Sequence, residues 1–228
     1  MTEQERKERQ ERQKKLLGKL NRLEAYHEIQ NEMGRLTAAF NFHQKEKVLE
    51  HFALELEDVS LEYADEGRFE GPEAVKAVLE ELLGTPPKPG EMADMQLTTP
   101  MIEVAEDGRT AKCVWWCPGA GSYTDSEGAH AVWLWGEIAV DFIYREEKWK
   151  VWHLHYFRLI KCAYEKGWVD DLSMINRPNT PMHPKSLPPT YHNPYSPLSI
   201  RDGIPCMPRP YKTYTAADRY WELNRDKR

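Results

Sequence analysis

The residue pattern changes once along the chain, from the spacing of amphipathic helices to the alternation of strands, and this change most limits the possible folds. Before residue 85, apolar residues recur at three- and four-residue steps, as one face of a helix requires. After residue 95, β-rich runs follow, and Asp107-Gly108 marks a hairpin turn. Helices followed by antiparallel strands predict an α+β domain with helices packed on one face of a sheet.

Three helices are expected in the first part of the chain. The first carries one apolar stripe formed by Leu16, Leu20, Leu23, Ile29, Met33, Leu36 and Phe40. Asn41, with Gln44 three residues later, resembles a capping box and predicts a short second helix. Pro72 and Gly84 are placed to begin and to end a third helix. Between the last two helices, alternation over residues 59–64 predicts a strand.

Four longer strands are expected over residues 96–105, 110–116, 129–144 and 149–160. A loop is expected at residues 118–121, where proline and glycine interrupt the pattern. Six of the eight tryptophans lie between Trp115 and Trp152, so aromatic side chains concentrate on these strands.

Charge divides the chain into three segments. Residues 1–24 carry +3 and form a charged helical extension, residues 25–172 carry −14 and form the domain, and residues 173–228 carry +5. The last segment holds ten of the sixteen prolines, yet it is too rich in aromatic residues for a typical disordered tail. We expect it to form an extended arm over the chain's own surface or that of a neighbouring subunit.

Composition excludes several classes of protein. A net charge of −6 argues against a protein that coats nucleic acid or an anionic membrane. The chain has no long apolar run, and its charged start does not resemble a signal peptide, so we expect a cytoplasmic protein. Its four cysteines fit neither a disulfide framework nor a zinc ribbon. Phosphate-binding loops, the dinucleotide fingerprint, GxSxG and HExxH are absent.

The remaining candidates for chemistry are titratable residues on the aromatic-rich strands. His153 and His155 are two residues apart on one strand and therefore point to the same face. A histidine in a closed cavity is suited to proton transfer near neutral pH, although a single strand histidine is also a common structural residue. Asp141 lies on the preceding strand, and Glu62 is either a cavity carboxylate or a solvent-facing residue. No further ligand is suggested by spacing, so we expect no metal site.

Six strings together resemble the nuclear transport factor 2-like superfamily, in particular its SnoaL-like branch. They are EIQNEMGRL, GRFEGPEAV, TTPMIEV, DGRTAK, VWLWGEIAVDF and WKVWHLH, spread over residues 25–170. The resemblance implies a cone, in which a strongly curved antiparallel sheet wraps around the three helices and leaves a pocket at its open end. This superfamily includes polyketide cyclases, ketosteroid isomerase, scytalone dehydratase, bile-acid dehydratase and proteins that only bind.

Relatives with long, Pro- and Tyr-rich C-terminal ends include lyases that release formaldehyde from lignin-derived diarylpropanes. Their common chemistry is proton movement on a hydrophobic, often aromatic substrate, so the resemblance implies that no cofactor is needed. It places the catalytic groups at His155, His153, Asp141 and Glu62, with His155 as the main proton-transfer group. Under a catalytic hypothesis, the pocket-lining residues are Trp133, Trp135, Tyr63 and Trp115, although tryptophans are more often core or interface residues than a platform for substrate.

The chain also departs from this family pattern. Relatives often carry Tyr, and dehydratases Tyr and Asp, along the first long helix, where this sequence has Leu36, Ala39, Asn41 and His43. Either the acid–base groups have moved to the sheet or the reaction has changed.

The sequence therefore predicts a cofactor-independent lyase, dehydratase or, less favoured, isomerase or cyclase, acting on a small aromatic or polycyclic molecule. Whether water or formaldehyde is lost stays open. The alternative is a non-catalytic small-molecule-binding or oligomer-assembly module of the same fold. Under either hypothesis we expect a homo-oligomer, dimer or trimer, with the C-terminal arm at its interface, and no nucleic-acid or membrane partner.

Overall fold

The architecture follows the predicted order of helices first and long strands afterwards. A computed structural model describes residues 2–174 and 183–224. The helices are α1 (Glu3–Asn41), α2 (Lys45–Glu50), α3 (Pro72–Leu83) and the single turn α4 (Gly167–Asp170). The strands are β1 (Ser60–Tyr63), β2 (Arg68–Glu70), β3 (Met92–Met95), β4 (Thr98–Val104), β5 (Thr110–Asp125), β6 (Gly128–Arg145) and β7 (Lys148–Ala163).

The seven strands form one curved sheet in the order β2-β1-β7-β6-β5-β3, and β4 also pairs with β5. All pairings are antiparallel except that of β1 with β7, which run parallel with Glu62 opposite His155. The sheet is therefore mixed, and the prediction of a purely antiparallel sheet was wrong at this pairing. Tight turns join β5, β6 and β7 and impose opposite directions, whereas β1 lies far from β7 in the chain and no turn sets its direction.

The two faces of the sheet carry different residues because side chains alternate along each strand. On β6, Val140 and Phe142 point to the side of α1–α3 and belong to the main hydrophobic core. The alternate residues Ala139 and Asp141 point to the opposite side. We call these sides the helix face and the outer face.

Residues 183–224, called the C-terminal segment below, cover the outer face. Leu187 and Arg68 exchange two backbone hydrogen bonds at the edge of the sheet, of 2.9 and 2.7 Å. Further along, Ile204 and Trp221 pack in a second hydrophobic cluster with residues of three strands, Val114, Ala139 and Phe157. Residues 175–182 and 225–228 of the predicted arm, and Met1 of the predicted extension, lie outside the described residues. A place for this segment at a subunit interface stays a prediction.

Helix α1 does not carry the single apolar stripe that the sequence predicted. Ile29, Met33 and Leu36 are buried, but Leu20 is 59% exposed and Leu16, Leu17 and Leu23 are similarly exposed. The sequence step from Leu23 to Ile29 is six residues, which rotates the second group to another side of the helix. None of the described helices is long and apolar enough to cross a membrane.

Two local predictions were also wrong. The side chain of Asn41 caps no helix, because it hydrogen-bonds the backbone of Met95 on β3. Residues 118–121 are part of β5 and not a loop. Pro118 is tolerated there because the edge pairing passes from β4 to β3 at this point. Gly119 lets β3 approach closely, since an added Cβ would lie 2.8 Å from the carbonyl oxygen of Asp94.

Candidate functional site

The register of three neighbouring strands places the predicted catalytic residues side by side on the outer face. Asp141 on β6 lies opposite His153 on β7, and Glu62 on β1 lies opposite His155 on β7. All four side chains are buried. The structure therefore brings together the four residues that the resemblance proposed as catalytic.

His153 is held by a carboxylate on one side of its ring. Its Nδ1 lies 2.8 Å from Oδ2 of Asp141, while its Nε2 is buried and has no hydrogen-bond partner among the described residues. Because a carboxylate can only accept, this bond places the proton on Nδ1 and leaves the lone pair of the neutral ring on Nε2. A bulge in β7 inserts Trp152, whose ring stacks on His153 with the centroids 4.2 Å apart.

Asp141 is fixed by two further donors from the C-terminal segment. Tyr214 donates its hydroxyl to Oδ2 over 2.9 Å, and Trp221 donates Nε1–H to Oδ1 over 2.6 Å. Burial raises the pKa of the Tyr214 phenol, and the nearby Asp141 carboxylate raises it further. Tyr214 therefore remains a neutral O–H donor, and Asp141 is held in one orientation toward His153.

His155 lies between two carboxylates. Its Nδ1 is hydrogen-bonded to Oε1 of Glu222 over 3.3 Å. Its Nε2 lies 3.3 Å from Oε1 of Glu62 but, like Nε2 of His153, has no hydrogen-bond partner among the described residues. Its ring also stacks on Phe157 with the centroids 3.7 Å apart. Glu62 in turn accepts hydrogen bonds from the backbone and the hydroxyl of Thr190, at 2.6 and 2.7 Å. His155 and Glu62 thus bind the C-terminal segment to the sheet.

Two spaces of different size meet at His153. A small space of about 20 Å³ lies between His153, His155 and the carboxylates, which is room for one water-sized group. A groove of about 750 Å³, a volume typical of small-molecule sites, is also lined by His153. The walls of this groove combine aromatic and charged side chains, which include Trp152, Tyr214, Tyr220, Arg68, Arg219 and Asp58.

The four residues predicted to line the substrate pocket lie elsewhere. Trp133 packs on Tyr164, and Trp135 stacks on Trp168. Both are on the outer face of β6, but they lie on the part of that strand beyond the histidines. Tyr63 and Trp115 point to the helix face, where Trp115 is almost fully buried. None of the four contributes to the described groove beside His153.

The helix face contains a separate apolar cavity of about 70 Å³. Leu36, Phe40 and Met95 contribute to its apolar walls, and Tyr63 and Tyr156 also line it. The hydroxyl of Tyr156 is buried without a hydrogen-bond partner among the described residues. The predicted acid–base groups and the most apolar cavity are therefore on opposite faces of the sheet.

Sequence reasoning missed the contribution of the C-terminal segment to the site. Glu222 contacts His155 directly, and Tyr214, Trp221 and Thr190 hydrogen-bond the carboxylates of Asp141 and Glu62. The signal available was the unusual aromatic content of residues 173–228, which indicates packing against a surface but not which surface. Within the described residues, no group of three or more histidine, cysteine or acidic side chains is arranged to hold a metal ion.

Comparison with known families assigns the domain. A family model described as a SnoaL-like domain matches residues 21–155, which is more than half of the chain. The chain belongs to the SnoaL-like family. The match to the SnoaL-like domain ends at His155, so both histidines, Asp141 and Glu62 lie within it. The donors from Tyr214 and Trp221 lie outside it.

Three solved structures resemble the SnoaL-like domain. A candidate scytalone dehydratase from Novosphingobium aromaticivorans DSM 12444 is 19% identical with a TM-score of 0.52, over 63% of this chain and 90% of that one. Hexachlorocyclohexane dehydrochlorinase LinA type 2 is 16% identical with a TM-score of 0.52, over 64% and 92%. LinA-type3 from Novosphingobium barchaimii LL02 is 15% identical with a TM-score of 0.50, over 64% and 93%. These identities show a shared fold alone, and no curated protein matches the chain.

Proposed function

We propose that this SnoaL-like protein is a cofactor-independent lyase or dehydratase that acts on a small aromatic molecule, with His153 as the proton-transfer group. The observation that carries the proposal is the contact of His153 with Asp141, which leaves Nε2 buried and unpartnered on a residue that lines an aromatic groove. A base oriented by a carboxylate and adjacent to a ligand-sized space meets the geometric requirements of acid–base catalysis.

Both reactions under consideration need one proton removed and one returned. In loss of water, Nε2 of His153 takes a carbon-bound proton, and the resulting imidazolium gives a proton to the leaving hydroxyl. In loss of formaldehyde, Nε2 takes the hydroxyl proton, the carbon–carbon bond breaks, and the imidazolium protonates the carbanion. Asp141 stabilises the imidazolium in either case. Dehydratase and dehydrochlorinase activities among the structural neighbours are consistent with this class of chemistry.

The contacts favour His153 over His155 as the main proton-transfer group. Nε2 of each histidine is buried without a hydrogen-bond partner among the described residues. Nε2 of His155, however, lies 3.3 Å from a carboxylate oxygen of Glu62, and the face of its ring is covered by Phe157. His155 also lines only the small space, which holds no more than a water-sized group. We therefore assign to His155 and Glu62 the positioning of the C-terminal segment, and to Trp152 and Tyr214 the contact with the aromatic body of the substrate.

The experiment is a turnover screen with hydroxylated aromatic molecules, followed by mass spectrometry for loss of water or of formaldehyde. Wild type is compared with His153→Gln and with the matched variant His130→Gln. His130 forms a similar contact with Asp125, at 3.0 Å, but lies on the exposed β5–β6 hairpin. The proposal requires products from wild type and His130→Gln and their loss in His153→Gln. Equal turnover by all three proteins would reject it.

A second candidate function is non-catalytic binding of a small hydrophobic molecule in the helix-face cavity. It is favoured by the apolar walls and by the unpartnered hydroxyl of Tyr156, which a ligand oxygen could accept from. Burial raises the pKa of the Tyr156 phenol, although the nearby Arg158 cation opposes the shift, so the group remains a donor.

Tyr156→Phe is expected to raise the free energy of unfolding of the ligand-free protein by about 1 kcal/mol, because a buried donor without an acceptor is removed. Tyr211→Phe is the control, since its hydroxyl lies 2.9 Å from that of Thr110, and this variant should be less stable than wild type. Urea unfolding measures both. A destabilised Tyr156→Phe variant would show that the hydroxyl is already paired and would remove the argument for a ligand there.

A further inference from the structure

The first half of α1 carries an apolar face that nothing in the described structure covers. The helix begins at Glu3, but its first buried residue is Ala25. Four leucines within this projecting part are between 55% and 59% exposed: Leu16, Leu17, Leu20 and Leu23. Such a cluster on a single helix is a candidate interaction surface and not a random scatter of apolar residues.

The leucines form a stripe that points away from the domain. At about 100° per residue, all four lie within a sector of about 120°. Thirteen residues separate Leu16 from the buried Ile29, and also Leu20 from the buried Met33. At about 100° per residue, this separation places the leucine stripe about 140° around the helix from the side that faces the core. A surface that binds this stripe would therefore contact the helix and not the sheet.

The charges around the stripe are segregated. The one acid between residues 12 and 24, Glu24, lies within the leucine sector at its C-terminal end. Five cations lie outside that sector: Arg12, Lys14, Lys15, Lys19 and Arg22. None of the five cations forms an ion pair within residues 2–174 and 183–224. A helix with leucines on one side and cations on the other is suited to the boundary of an anionic bilayer, where apolar and charged contacts form together.

The net charge of −6 led us to expect no membrane partner, but that charge is unevenly distributed along the chain. We propose that residues 12–24 of α1 bind the protein to an anionic lipid surface. The leucines enter the acyl boundary, and the flanking cations contact lipid phosphates. The acidic domain, which carries −14 over residues 25–172, is repelled and stays on the solvent side. A second copy fits the stripe less well, because two turns of leucine are shorter than the three to four heptads of a stable helix pair. Pairing would also bring ten cations together.

The test is sedimentation of the full-length protein with vesicles of phosphatidylcholine alone or with about 30% phosphatidylglycerol. We expect binding to the anionic vesicles only, and its loss at about 0.5 M salt, where charges are screened. Leu20→Glu should weaken binding at least about fiftyfold, because it adds one repelled charge and removes a leucine from the acyl boundary. Asn21→Glu adds the same charge on the side of the cations and should weaken binding only about fivefold.

Three results would overturn this proposal. One is the absence of binding to anionic vesicles by a protein whose circular dichroism shows intact helix. Another is an equal effect of Leu20→Glu and Asn21→Glu, which would show that only net charge matters. The third is self-association of wild type in sedimentation velocity that Leu20→Glu abolishes without any vesicle binding, which would assign the stripe to a second copy.

Discussion

Replacing His153 by glutamine is expected to lower kcat/KM at least about a hundredfold while the protein stays folded. Removal of a positioned general base typically costs about a hundredfold to ten-thousandfold. Glutamine keeps a polar group near Asp141 but has no lone-pair nitrogen that can take a proton at neutral pH. The loss should therefore appear in kcat more than in KM, since the aromatic walls of the groove, Trp152 and Tyr214, remain.

His155→Gln is expected to lower stability more than rate, in contrast to His153→Gln. His155→Gln removes the ring between Glu62 and Glu222 and should loosen the C-terminal segment, with a fall in unfolding free energy of about 1–3 kcal/mol. Its rate per folded molecule should fall less than about tenfold. Rates are measured below the unfolding transition of each variant. If His155→Gln loses activity and His153→Gln does not, the proton-transfer group is His155 and the assignment made from the contacts is wrong.

Much of the fold was predictable because strand and helix periodicity are local properties. The hairpin turn at Gly108 and the start of α3 at Pro72 were both read from residues within a few positions of the feature. Alternation along β6 is equally local, and it separates Val140, which packs on the helices, from Asp141, which faces away from that core.

The errors fall where distant parts of the chain decide the structure. The parallel direction of β1 depends on a partner far along the sequence, and so does the bond of Asn41 to β3. The opposite orientation of Leu20 and Ile29 could have been found by counting helical rotation. That count gives α1 two apolar faces, and within the described residues only the face that carries Ile29 contacts the domain.

The strand residues of the site were predictable from the sequence, and the residues that the C-terminal segment contributes were not. Strand alternation placed His153 and Asp141 on compatible faces, but their partners Tyr214 and Trp221 come from about 60–80 residues further along the chain, in irregular backbone without periodicity. The family match ends at residue 155, so similarity to the SnoaL-like domain carries no information on this half of the site.

Asp141→Asn is expected to reduce both activity and stability. It tests how the strand residues of the site and the C-terminal segment depend on each other. The carboxylate accepts from His153 and Tyr214 on Oδ2 and from Trp221 on Oδ1. An asparagine has one accepting oxygen, so its NH₂ group must face at least one of these donors in either orientation. Loss of one partner in a buried charged contact typically costs about 3–5 kcal/mol, and we expect the lower end.

The activity loss should be about a hundredfold or more, because the amide favours the wrong tautomer of His153. When the NH₂ group donates to Nδ1, the ring proton moves to Nε2, and the nitrogen that we propose takes the substrate proton no longer has a free lone pair. Nitrogen-15 chemical shifts of the histidine rings distinguish the two tautomers directly. The control is Trp221→Phe, which removes the donor to Oδ1 and lowers stability but leaves the contact of His153 with Oδ2. A Trp221→Phe protein that loses as much rate as Asp141→Asn would show that the packing of the C-terminal segment, and not the protonation of His153, controls the reaction.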